Sequence, residues 1–161
     1  MRPIIAAAAL LILTGTALSK GDTSKEEEAI KALVKTYVDA FNKADSKAVA
    51  ATYIEEGTLV NLFGMEMAGR AAIEQQLGAQ FAGPLKGAIT SITPSKIQLI
   101  KPDVAIGDAD VEVSGLKSPD GKAIPPVKAR GTAVFVKQKG KWLFAATRGY
   151  VHLPPPGAPK K

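Results

Sequence analysis

The chain has 161 residues, enough for one domain and short for two. Its composition, 46% hydrophobic and 22% charged, is ordinary for a folded soluble domain, and the absence of cysteine excludes disulfides and acylation of an N-terminal cysteine. The net charge of +6 rests on lysines that alternate with acids or flank turns, with no interleaved aromatics. That pattern predicts a solvated surface and no nucleic-acid partner.

Met1-Arg2 is followed by the uncharged, mostly apolar run Pro3–Leu18. The run is shorter than the about 20 residues a membrane span needs and suits the apolar core of a secretory signal. Residues 1–19 are therefore predicted to be a signal peptide, cut after Ala17 or Ser19. The remainder is expected in the periplasm or outside the cell, with no membrane contact after cleavage.

Thr23 or Ser24, with a glutamate three residues later, forms a capping box. Ile30, Leu33, Val34, Tyr37, Val38 and Phe41 follow at three- and four-residue spacing and predict one helix to about Lys43. Asp45 or Ser46 caps a shorter helix carrying Val49, Ala50 and Tyr53, with Gly57 as its end. "GTLVNLFG" then reads as a strand that turns at Gly64. Gly69-Arg70 opens a third helix through Ile73, Leu77, Gln80 and Phe81, closed by Gly83-Pro84. Beyond Lys86 the pattern becomes β: Ala88–Ile100, Val104–Ser114, Val127–Lys137 and Lys141–His152. The breaks at Lys101-Pro102-Asp103, Ser118-Pro119-Asp120-Gly121 and Lys139-Gly140 are turn chemistry. Residues 154–161 read as a disordered Pro/Lys tail, leaving a single domain over 20–153. The plan is α+β: a strongly bent antiparallel sheet packed on three N-terminal helices, a cone that leaves a hollow for a small ligand.

The segments "YVDAFNKAD", "TLVNLFGMEMAGRAAI", "LIKPDVAIGDADVEVSG" and "SPDGKAIPPVKARGTAVFVKQKGKWLFAA" resemble the SgcJ/EcaC-type, SnoaL-like branch of the nuclear-transport-factor-2-like superfamily. The resemblance covers nearly all of Ile30–Gly149. It implies the cone-shaped, cystatin-like fold and dimerisation through the outer sheet face. It does not imply one chemistry, because the superfamily includes isomerases, dehydratases, cyclases, scaffolds and proteins without assigned activity. Set against the ketosteroid isomerases, the helical tyrosine of the oxyanion hole falls on Tyr37, and the general-base aspartate falls on Asn61. The second oxyanion donor falls near Ala129. An amide has no usable basic site, so isomerase chemistry by that route would be absent.

Tyr37 and Asn61 are thus candidate ligand contacts, with Phe41, Tyr53, Leu59, Phe63, Met65, Met67 and Phe81 as the apolar lining. For Tyr37 the competing reading is a core tyrosine. For Asn61 it is a residue that satisfies the turn before Gly64. Asp108, Asp110 and Glu112 alternate on one strand face, where a solvated row opposed by Arg130 and Arg148 is favoured over acid-base or metal chemistry. His152, lone and near the tail, reads as a surface residue. Trp142, Phe144, Arg148 and Tyr150 are expected on one face of the last strand, as a dimer interface. No motif calls for a metal or a cofactor. The preferred reading is an exported protein that binds a small apolar or amphipathic organic ligand. A small-molecule isomerase, dehydratase or cyclase is the alternative, and a dimeric scaffold with a closed core is the second alternative.

Overall fold

The computed structural model describes residues 20–118 and 120–151, with side chains from residue 23. The signal-peptide reading, the tail, Pro119 and His152 lie outside the described residues. The elements run α1 (Lys20–Asn42), α2 (Ser46–Ala51), β1 (Tyr53–Val60), β2 (Glu66–Ala68), α3 (Arg70–Ala82), β3 (Ile89–Lys101), β4 (Val104–Ser114), β5 (Val127–Gln138) and β6 (Lys141–Tyr150). Among the described residues no helix is long and apolar enough to cross a membrane.

The apolar stripe predicted for α1 is the stripe it buries: Ile30, Val34 and Phe41 enter the core and Tyr37 packs against it. The helix is already formed at Lys20, before the predicted capping box. Asp45 caps α2 by accepting the Ala48 N–H at 2.9 Å. Gly69, at φ 88°, precedes α3. Its positive φ is glycine territory, which explains the first half of the Gly-Arg motif. Arg70 explains the second half. Its Nε donates to the Tyr53 carbonyl at 3.1 Å, a second guanidinium nitrogen donates to the same oxygen, and a third lies 3.3 Å from Glu55 Oε2. The first turn of α3 is thereby tied to the start of β1.

The six strands form one sheet in the order β2-β1-β6-β5-β4-β3. The sheet is mixed. All pairs are antiparallel except β1 with β6, which run parallel. The fully antiparallel expectation is corrected at this pair. β1 also begins earlier than predicted, at Tyr53, and passes through Gly57 instead of starting there. A Cβ on Gly57 would lie 3.0 Å from both Ile54 O and Tyr53 Cβ, at the irregularity where β1 shifts register against β6.

Residues of β4 and β5 with odd numbers face the helices. Pairing across the sheet gives the inward rows Ala105–Phe135–Phe144, Gly107–Ala133–Thr147 and Ala109–Gly131–Gly149. β6 keeps this alignment only because it carries one extra residue. Val134 opposes Ala146 and Phe135 opposes Phe144, so Ala145 is a bulge. Trp142 and Phe144 therefore point inward and are buried, while Arg148 and Tyr150 fall on the outer face. The predicted four-residue dimer surface is corrected accordingly: two of its members belong to the chain's own core.

Two polar clamps join the helical layer to the sheet. Asn42, the last residue of α1, accepts the Thr90 N–H at 2.8 Å and donates to the Thr90 carbonyl at 3.0 Å. At the far end, Glu26 accepts from Lys137 Nζ at 2.7 Å and from Trp142 Nε1 at 2.6 Å. These two donors hold the Glu26 carboxyl below its ordinary range.

Candidate functional site

The inward rows differ in size, and the difference creates a cavity. Phe135, Phe144 and Trp142 are large and fill the space under α1. The next two rows are Gly107, Ala133 and Thr147, then Ala109, Gly131 and Gly149. Phe135 leans over Gly107 and Leu62 over Gly149, where an added Cβ would lie 3.0 Å and 2.7 Å from them, while Ala109, Ala133 and Thr147 do not fill the space before the helix, and a chamber of about 160 Å³ remains. An apolar cavity of about 150 Å³ holds a molecule the size of benzene. Val34, Tyr37 and Phe41 of α1 form the facing wall, and Leu77, Leu85, Ile92, Val111 and Val113 are among the residues that close the sides.

Of the residues singled out in the sequence, Tyr37, Phe41, Leu59, Asn61 and Phe63 line this chamber. Tyr53, Met65, Met67 and Phe81 do not. Tyr53 is fully buried and its hydroxyl lies 2.8 Å from Thr147 Oγ1. Met67, fully buried on β2, pairs with Leu59 in the core. Phe81 packs edge-on against Phe41, with centroids 5.0 Å apart. Met65 is exposed, and its sulfur accepts from Gln80 Nε2 at 3.4 Å. The expectation that these four line the chamber is corrected: they lie one layer behind it or outside it.

Tyr37 sits in an aromatic cluster, its ring 5.7 Å from Phe144 and 6.4 Å from Tyr53. Burial pushes its phenol up to about 12, so it remains protonated throughout the neutral range. Tyr37 is half-buried, and among the described residues its hydroxyl makes no hydrogen bond and stays accessible from the chamber. A phenol that lines an apolar chamber without a protein partner is a donor available to a guest.

Asn61 does something different. Its Oδ1 accepts the Phe63 and Met65 N–H groups, each at 3.0 Å. Its backbone N–H donates to the Met65 carbonyl and its carbonyl accepts from Gly64, also at 3.0 Å. The residue holds the turn that presents Phe63, 71% exposed, at the chamber's rim. The turn reading of Asn61 accounts for its oxygen. Only the amide nitrogen, which donates to no protein group among the described residues, is left for a guest.

Asp108 is the one carboxylate in the chamber wall, and Arg148 the one cation. Both side chains belong to the outer face. Asp108 pairs with Thr132 and accepts its hydroxyl at 2.7 Å, and Arg148 donates to Thr58 Oγ1 at 2.9 Å. Asp110 and Arg130 continue the outer row, with Nε 3.8 Å from Oδ1. The chamber therefore offers hydroxyl and amide donors amid apolar walls. Among the described residues no group of three His, Cys, Asp or Glu side chains could hold a metal.

The sequence profile of the SnoaL-like domain matches residues 22–148. No curated protein matches the sequence. A protein with a cystatin-like fold from Caulobacter vibrioides superposes with a TM-score of 0.72 at 25% identity, covering 81% of this chain and 92% of that one. A scytalone dehydratase-like protein from Novosphingobium aromaticivorans gives 0.71 at 16% identity, covering 88% and 100%. A ketosteroid isomerase-like protein from Erwinia carotovora atroseptica gives 0.67 at 20% identity, covering 81% and 98%. These likenesses establish a shared cone-like architecture.

Proposed function

The chain belongs to the SnoaL-like domain family of the nuclear-transport-factor-2-like superfamily, and on that premise we propose that it binds a small, uncharged, mostly apolar organic molecule in its chamber. The observation that carries this reading is the half-buried Tyr37, whose hydroxyl faces the apolar chamber and has no protein acceptor among the described residues. The hydroxyl is not sealed inside the protein, so a guest can reach it, and a guest oxygen that accepts its proton gains a hydrogen bond shielded by the apolar wall. A charged guest is disfavoured, because the two ionic residues of the wall turn their side chains outward and an unpaired ion in an apolar space is costly.

Binding is favoured over catalysis because the position aligned with a general base is an amide whose oxygen is committed to a turn. The proposal places the chain in the SgcJ/EcaC-type branch, as an exported protein that loses residues 1–19. It also assembles as a homodimer through the outer face bearing Arg148 and Tyr150. Light scattering at micromolar concentration tests the last point, and a monomeric mass overturns it.

The binding reading is tested by titrating the purified chain with neutral aromatic ketones and their hydrocarbon counterparts. The expected result is saturable binding that weakens about tenfold for ketones in Tyr37→Phe, the loss of one hydrogen bond. If no compound binds, or if Tyr37→Phe leaves ketone affinity unchanged, the reading fails. Turnover of any ketone would restore the enzymatic alternative.

A further inference from the structure

Thr147 stands on the chamber wall opposite α1, in the row Gly107–Ala133–Thr147. Its only hydrogen-bond contact among the described residues through the side chain is Tyr53 Oη, 2.8 Å away. Distance alone leaves the donor open, and the chemistry of the two hydroxyls decides it. A phenol is the more acidic group and its oxygen the poorer acceptor, since its lone pair is shared with the ring. Tyr53 is fully buried, with burial the largest cause and the nearby Tyr37 the next in pushing its titration well above the ordinary range, so its proton is always present. Tyr53 thus donates, Thr147 Oγ1 accepts, and the Thr147 hydroxyl proton has no protein acceptor. A hydroxyl carries one donor and two acceptor sites, so accepting from Tyr53 leaves Thr147 free to donate.

We propose that Thr147 is a second hydrogen-bonding residue of the chamber, and that Tyr53 is the positioning residue behind it that turns the Thr147 proton toward the guest. The proposal deepens the binding reading and rests on it. It narrows the ligand to uncharged molecules with a carbonyl-type acceptor, a ketone, aldehyde, quinone or amide. Such an oxygen has two lone pairs and no proton of its own, and it meets donors from the helix wall at Tyr37 and from the sheet wall at Thr147. An alcohol guest can also use a remaining lone pair of either hydroxyl, but only a carbonyl oxygen takes both donors at once without a proton of its own to place.

The test uses the full chain and two probes of nearly the same shape, acetophenone and α-methylstyrene, which differ by C=O against C=CH₂. Affinities are measured by calorimetry, and the bound carbonyl is read by its ¹³C shift in labelled acetophenone. Thr147→Val is expected to weaken acetophenone about tenfold, leave α-methylstyrene within about twofold, and move the carbonyl shift upfield. Thr147→Ser, which keeps the hydroxyl, restores the ketone preference. Tyr53→Phe reduces that preference severalfold without abolishing it, because the Thr147 hydroxyl is then free to rotate. A parallel loss of both probes in Thr147→Val and Tyr53→Phe would make the pair merely structural and overturn the proposal. An unchanged carbonyl shift in folded Thr147→Ser and Thr147→Val alike would also overturn it. If the unsubstituted chain binds neither probe, the chamber reading itself falls, and this one with it. If it binds both equally while Tyr37→Phe still weakens the ketone, only the Thr147 proposal falls.

Discussion

The two halves of the concave sheet face are built from the same three strands and face the same helix, yet one is solid and the other hollow. Toward the β5–β6 turn, Phe135, Phe144 and Trp142 interlock with Tyr37 and are pinned by Glu26. In the next inward rows, two residues on in β4 and β5 and three in β6 across the bulge, glycine, alanine and threonine take their place. Backbone pairing continues through both halves and is interrupted at their boundary only by the Ala145 bulge of β6. The comparison teaches that this fold separates its scaffold from its cavity by side-chain volume, with one bulge in β6 keeping the inner face in step. Close packing is the rule in protein interiors, and an unfilled row marks a place where something else is meant to pack.

Four perturbations test that contrast. The largest effect is expected in the solid half. Phe144→Ala removes a ring that contacts Tyr37, Tyr53 and Phe135, and should destabilise by about 3–5 kcal/mol in urea unfolding. The converse change in the hollow half, Ala133→Leu, should shift stability by less than about 1 kcal/mol, because room for the side chain already exists. It should also weaken ketone binding more than tenfold in calorimetry. A large stability loss in Ala133→Leu would show that the half is not hollow. Asn61→Ala should cost about 1 kcal/mol through the loss of two turn hydrogen bonds, whereas Asn61→Asp, which still accepts both, should cost less. Chemical denaturation of the pair checks this.

The smallest effect concerns the pin. Glu26 has a lowered pKa in the folded chain, so the ionised form contributes stability above its ordinary value near 4.5 and loses it as pH falls through the folded value. Glu26→Gln should therefore lower the urea midpoint at pH 7, and the difference from the unsubstituted chain should close between about pH 5 and pH 3. A gap that persists at low pH would assign the Glu26 contribution to packing instead of charge.

Much of the fold was legible because its signals are local. The stripe of α1, the Asp45 cap, Gly69 and the three turn clusters placed most element boundaries within a residue or two. The failures have non-local causes. "YIEEG" reads as the tail of a helix, yet it is strand, since Tyr53 pairs with Phe144 and its carbonyl is claimed by Arg70 from the next helix. The face assignment of β6 failed because an alternation count cannot reveal one unpaired residue. Tyr37 was legible as a chamber residue from the stripe and the family pattern together. Asn61 was legible as a position but not as a role, because its partners are the amides of its own turn. The small-residue wall was present as Gly107-x-Ala109 and Gly131-x-Ala133, a period-two pattern of missing side chains, which is harder to notice than a pattern of large ones. Thr147 had no signal of its own, since its importance depends on Tyr53 lying ninety-four positions earlier in the chain.

The extra residue in β6 has a consequence for how this scaffold could diversify. Excision of Ala145 would remove the bulge yet leave Val134 opposite Ala146 and Ala133 opposite Thr147, so every inward row would keep its members. What such a deletion alters is the bend and twist of the strand, and with them the depth of the hollow, through a single codon and with the wall residues in place.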